Sequence, residues 1–153
     1  MDIQSLKQML EKAQYEVSEV QSRSGSTWLS FRADRDPDSF VMYLSTHHQD
    51  NYLSLHSTAA RLQLDQESGA CVAAMIPEMN YRNQVARVCI DPATGDLVVI
   101  GDVYLADLEP SAAFLARLIK EVGFFASCAC DVVRASQQPA EPPLPTSETS
   151  AFE

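Results

Sequence analysis

Three histidines and a scatter of carboxylates are the side chains of this sequence best suited to chemistry. His47, His48, Asp50 and His56 lie close together and invite a metal-ligand reading. Adjacent histidines on a strand point to opposite faces, so His47 and His48 cannot both ligate from regular backbone. A polar turn followed by one outward histidine is the simpler account. Asp34-Arg35-Asp36-Pro37-Asp38 places carboxylates where a calcium loop has its first, third and fifth ligands. Such a loop then needs glycine and, at its end, a bidentate glutamate; Ser39 and Ser45 stand there instead, which leaves a charged turn. Asp91 and Asp96 sit in another turn, where aspartate is favoured for backbone geometry rather than catalysis. There is no G-x-S-x-G elbow and no G-x-x-x-x-G-K phosphate loop, and five glycines provide no cradle for a nucleotide. Cys128 and Cys130 are spaced C-x-C with no second pair to complete a zinc site, so with Cys71 and Cys89 they read as small apolar side chains of a reduced core. No acid, base and nucleophile converge on one place. The expectation is a protein that is not an enzyme and uses no metal or cofactor.

The elements that would position these side chains follow from hydrophobic period. Ile3, Leu6, Leu10 and Ala13 recur at helical spacing with Lys7, Gln8 and Glu11 opposite, which predicts a short amphipathic helix. Residues 26–33, 39–46 and 52–58 are strand-like and are separated by Asp36-Pro37-Asp38 and Gln49-Asp50-Asn51. Across 68–80, Cys71, Val72, Met75, Ile76 and Met79 form a helical stripe, with Pro77 predicting a kink or a fresh helical start. Val85 to Ile90 and Leu97 to Leu105 flank Asp91-Pro92-Ala93-Thr94-Gly95-Asp96, a hairpin whose Gly95 supplies the left-handed residue. The second strand of that hairpin is apolar on both parities, so it is central or meets another subunit. Pro110 is placed near the first position of a closing helix striped by Phe114, Leu115, Leu118, Ile119, Val122 and Phe125, which Cys128 to Val133 extend. The order is helix, three strands, helix, two strands, helix. That pattern predicts an α+β domain, an antiparallel sheet with helices packed on it.

Strand parity divides the first three strands into two faces. Leu29, Phe31 and Ala33, with Phe40, Met42, Leu44, Leu53 and Leu55, form a core face. The other face carries Trp28, Arg32, Tyr43, Tyr52 and His56. That composition belongs to an interface hot spot and marks these five as partner-binding residues, unless a loop covers them or the face is simply half-wet.

The chain has 153 residues, a formal net charge of −10 and 46% hydrophobic residues, one ordinary globular domain by length and composition. Residues 136–153 contain four prolines and three glutamates without Lys or Arg and read as a disordered tail, leaving a single domain at 1–135. An acidic surface repels phosphate backbones, so direct nucleic-acid binding is not expected and a basic protein partner is. With no apolar run long enough to span a membrane and no signal-peptide pattern, the expected location is the cytoplasm and no membrane is involved.

Asn80 and Asn83 at the end of the middle helix, the turn Asp91-x-x-x-Gly95-x-Leu97 and Asp102 on the following strand resemble the YbjN-like family of bacterial domains named for sensory transduction regulation. The resemblance covers roughly residues 3–134 in element order, with its residue-level part in 70–133. It implies a fold similar to type III secretion chaperones, order α-β-β-β-α-β-β-α, which the periodicity reached separately. It also implies a homodimer, here through Val72, Met75, Ile76 and Met79 with Val98, Ile100 or Tyr104. No catalytic residues come with it. The resulting expectation is a chaperone-like or adaptor module that holds a client protein with basic surface, such as a nucleic-acid-binding protein. The alternative is a regulatory domain that senses a small ligand between sheet and helices.

Overall fold

A computed structural model describes residues 2–35, 38–47, 51–60, 66–81, 85–106 and 108–137, and of His47 and Gln66 the backbone only. Three helices and six strands follow in the order α1 (Ile3–Lys12), β1 (Ser18–Gln21), β2 (Thr27–Arg35), β3 (Asp38–His47), β4 (Tyr52–Ala60), α2 (Gln66–Tyr81), β5 (Arg87–Ile90), β6 (Leu97–Tyr104) and α3 (Ala112–Gln137). The expected α+β order is present, with β1 added ahead of the three long strands. The strands form one sheet, β1-β2-β3-β4-β6-β5, antiparallel throughout.

Local chemistry accounts for the element ends. Asp2 caps α1 by accepting the Ser5 N–H at 2.7 Å. Ser111 caps α3, its hydroxyl accepting the Phe114 N–H at 3.1 Å, so Pro110 lies buried one residue before the cap and two before the first helical position. The helix α2 is continuous across Pro77, so the proline starts no new helix. Gly25 and Gly95 both have positive φ, the conformation that each hairpin turn requires. Gly95 donates its N–H to the Asp91 carbonyl at 2.7 Å, and the Asp91 carboxylate accepts the Ala93 N–H.

The core lies between one face of the sheet and the helices. Leu29, Phe31, Met42, Leu44, Leu53, Leu55, Val88, Leu97 and Val99 are buried from the sheet side, as parity requires. From α3, Leu115, Leu118, Ile119, Val122, Phe125, Ala126, Ala129 and Val133 meet them. Small residues set how closely α3 approaches. A Cβ built on Gly101 of β6 would stand 2.8 Å from Val122 Cγ2 and 3.2 Å from Leu118 Cδ1, so only glycine fits this contact without displacement. The end of α3 is tied to the sheet by Cys130, whose thiol donates to the Ala59 carbonyl at 2.8 Å, and by Arg134 and Ser127, which both bond the Asp38 carboxylate. This helix runs through Ser136 and Gln137, two residues into the expected tail; residues 138–153 lie outside the described ones. No helix among the described residues is long and apolar enough to cross a membrane.

Candidate functional site

Every strand of a sheet has two faces, and here the helices take one of them. The other carries Val20 from β1; Trp28, Ser30 and Arg32 from β2; Val41, Tyr43 and Ser45 from β3; Tyr52, Ser54 and His56 from β4; and Val98, Ile100, Asp102 and Tyr104 from β6. All five sequence-predicted partner-binding residues share it. The register puts Tyr43 directly opposite both Ser30 and His56, and His56 opposite Ile100. Trp28 reaches across β3 to His56, with ring centroids 4.8 Å apart. The indole therefore overlies β3, which explains why Ser45, although on this face, is only 2% exposed. Tyr52 packs at a tilt against Tyr104, with ring centroids 5.3 Å apart, and the two remain 41% and 62% exposed. Val20, Val41 and Tyr43 are exposed large hydrophobics elsewhere on the same face.

A trough of about 300 Å³ crosses this face from Val20 through Trp28, Tyr43 and His56 to Val98, with Asp91 of the β5–β6 turn at one end. A second hollow of about 330 Å³ adjoins it at Tyr43 and Thr58 and includes Val41 and Asp96. The contribution of β1 and β6 escaped the residue-by-residue reading. Ser18–Gln21 holds one apolar residue in four and gives no alternation to detect; the Ser24-Gly25-Ser26 turn before β2 is the signal that could have found a hairpin there.

The dimer strip expected from the resemblance does not form one surface. Val72 is 1% exposed and belongs to the core, and Ile76 and Met79 pack against it, leaving Met75 exposed on α2. Val98, Ile100 and Tyr104 lie on the open sheet face instead, because the neighbouring Leu97 and Val99 are the residues that face the helices. Period alone could not separate these sets, since β6 is apolar on both parities.

Among the described residues no group of three or more His, Cys, Asp or Glu is placed to hold a metal ion. His48, Asp50 and Asp36 lie outside the described residues, as does the His47 side chain. Asp34 accepts the Ser39 hydroxyl at 2.6 Å, and Asp38 is held by Ser127 and Arg134. These carboxylates fasten a hairpin. Burial raises the Cys89 and Cys128 thiols above their ordinary value, and pushes that of Cys130 up to about 11. None of the three is a thiolate at neutral pH, and the thiolate is the nucleophilic form.

The residues that carry the YbjN resemblance have structural work. Asn80 donates from Nδ2 to the Val88 carbonyl at 2.9 Å, while its Oδ1 accepts the Val88 N–H at 2.7 Å. Its carboxamide thus occupies the outer edge of β5 as another strand would. Leu97 is core, Gly95 makes the turn, and Asp102 bonds the Ser54 hydroxyl and the Arg87 guanidinium, each at 2.6 Å. Asn83 lies outside the described residues.

The fold is therefore an α+β sandwich of two layers, helices on one face of an antiparallel sheet and an aromatic face that the described residues leave open on the other. Among solved structures it is similar to the crystal structure of YbjN from E. coli, a candidate transcription regulator, with a TM-score of 0.64 over 91% of this chain and 97% of that one. At 14% identity the likeness establishes a YbjN-like fold. No protein-family model and no curated protein matches the chain.

Proposed function

We propose that this chain is a non-enzymatic protein-binding module that holds a client on the open face of its sheet. One observation carries the reading: Trp28, Tyr43, Tyr52 and His56 are gathered on a face that none of the described helices covers. A half-covered sheet in a two-layer domain leaves apolar area in water, and aromatic residues with a neighbouring Arg32 are the composition of binding hot spots. The strongly acidic chain favours a client with basic surface, a nucleic-acid-binding protein being one such class, and disfavours nucleic acid itself. The regulatory description of YbjN is compatible with a module that acts by holding another protein.

The test is affinity capture from nuclease-treated lysate of the source organism, with the native chain beside a Trp28→Ala/Tyr43→Ala variant of unchanged circular dichroism. The expected result is one near-stoichiometric protein, bound by the native chain and lost with the variant. A protein retained equally by both would move the binding site elsewhere and overturn the assignment.

A second reading has its own observation. A cleft of about 330 Å³ lies between the end of β6 and α3, lined by Val103, Phe114, Leu118, Arg117 and Glu121 among others. Its volume is at the lower end for small-molecule sites and its lining is mainly apolar with a few charged groups, which suits ligand sensing. A metabolite that raises the melting temperature in a native chain but not in an Arg117→Ala variant would favour it.

A further inference from the structure

The trough has a direction, and its two ends differ. Between β1 and β6 it crosses four strand-to-strand spacings, which at about 4.8 Å each gives a length of roughly 19 Å. Its floor is apolar and aromatic, from Val20 through Trp28 and Tyr43 to Val98. At the β5–β6 turn it meets Asp91, and the adjoining hollow meets Asp96. Neither carboxylate forms an ion pair with a described residue; Asp91 accepts only the Ala93 N–H of its own turn. The sheet edges are poor sites for strand addition. The Asn80 carboxamide occupies the β5 edge at Val88, and β1 is a four-residue strand whose Glu19 is tied to Lys7 of α1 at 2.9 Å. Short or covered edges resist strand addition, so a partner docks on the face rather than extending the sheet.

We infer that the occupant of the trough is an amphipathic helix of a partner protein, apolar along one stripe and with Lys or Arg in the turn that lies over Asp91 and Asp96. This rests on the reading of the open face as a client surface and specifies what the client presents there. At 1.5 Å rise per residue, 19 Å accommodates about 13 residues, between three and four turns. A sheet face without a covering layer is filled by a helix that buries one stripe against it, as α3 does on the opposite side. The terminal base pairs with two carboxylates that no described residue neutralises, which fixes the direction of the helix on the sheet.

Trp28 is the only tryptophan, so its emission reports on the trough directly. The full chain is titrated with a tryptophan-free 13-residue amphipathic peptide bearing two lysines in its last turn, and separately with the same peptide carrying glutamates there. The lysine peptide shifts Trp28 emission saturably, and the glutamate peptide does so at least tenfold more weakly. An Asp91→Asn/Asp96→Asn chain, which keeps the turn's acceptors, weakens the lysine peptide about fivefold to tenfold, in line with two partly exposed ion pairs. A chain with Glu11→Gln, an acid on α1, leaves it unchanged. Equal binding of both peptides, or indifference to the Asp91/Asp96 change, overturns the assignment of a basic helix; if Tyr43→Ala still abolishes binding, the open face stands as a client surface. No Trp28 response to either peptide also overturns it, and the capture experiment then decides separately whether the face binds a client at all.

Discussion

Replacing Asn80 by alanine removes two hydrogen bonds and leaves the edge of β5 without a partner. Val88, at the other end of both bonds, is 1% exposed, so water cannot fully replace the carboxamide. Each neutral hydrogen bond contributes about 0.5–1.5 kcal/mol net, and a buried amide left unsatisfied costs about 1–3 kcal/mol more. The expected loss is about 2–6 kcal/mol, roughly a 6–18 °C fall in Tm for a chain of this size. Urea denaturation followed by circular dichroism reads the loss, and hydrogen exchange of the Val88 amide reads its cause. Protection of that amide drops in the variant by a factor set by the same free energy. An Asn80→Asp chain sharpens the test. It keeps the acceptor for the Val88 N–H but sets a carboxylate oxygen against the Val88 carbonyl, and only the protonated acid restores a donor. Its deficit at neutral pH is therefore at least that of alanine and narrows in acid. A loss below about 0.5 kcal/mol in Asn80→Ala, or a Val88 amide equally protected in both chains, would refute the edge-plug reasoning.

Two further outcomes follow from packing and charge. Gly101→Ala drives a methyl into Val122 and Leu118, and overpacking of this kind costs about 1–3 kcal/mol, read as a lower urea midpoint with an unchanged m-value. Hydrogen bonds from Ser127 and Arg134 hold the Asp38 carboxyl below its ordinary value, so its stabilisation is complete above the unfolded value near 3.8 and is lost as pH falls through the lower folded value. The gap in urea midpoint between the native chain and Asp38→Asn is accordingly widest near neutral pH and closes below about pH 4; a gap independent of pH would contradict the linkage.

Much of this architecture can be read from the chain because most of its elements bury one face. Alternation in 26–33, 39–46 and 52–58 puts Leu29, Met42, Leu44, Leu53 and Leu55 on one side, and those residues are fully buried. The same parity gathers Trp28, Arg32, Tyr43, Tyr52 and His56 opposite them, because an antiparallel register without a bulge in this part of the sheet conserves facing from strand to strand. Legibility fails where an element buries nothing or shows apolar residues on both sides. Strand β1 is exposed at all four positions, so selection for a core leaves no trace in its sequence. On β6, Leu97 and Val99 serve the core while Val98 and Ile100 serve the open face, and composition cannot tell the two apart. The helix α2 has a similar ambiguity: only the packing of α3 and β5 decides that Val72 turns inward and Met75 outward. Pro77 failed to interrupt that helix because a proline removes one donor and crowds one turn, a cost that contacts to the core can offset.

The residues through which the chain resembles YbjN and the residues that suit it for binding are almost disjoint sets. Asn80, Asp91, Gly95 and Leu97 close an edge, shape a turn and fill the core. Asp102 does lie on the open face, but there it joins Ser54 to Arg87 and so links β4 to β5 across β6. Such residues specify how the sheet ends and how the hairpin folds, and a domain can keep them while its exposed face changes completely. The likeness therefore accounts for the shape of this protein without accounting for the identity of the client proposed for it. On the proposed reading that identity is written in Val20, Trp28, Tyr43, His56 and Val98, with Asp91 serving both turn and trough. Substitutions in the first set should lower stability and those in the second should lower affinity, with Asp91→Asn, which keeps its turn acceptor, the one change expected to separate the two at a single position.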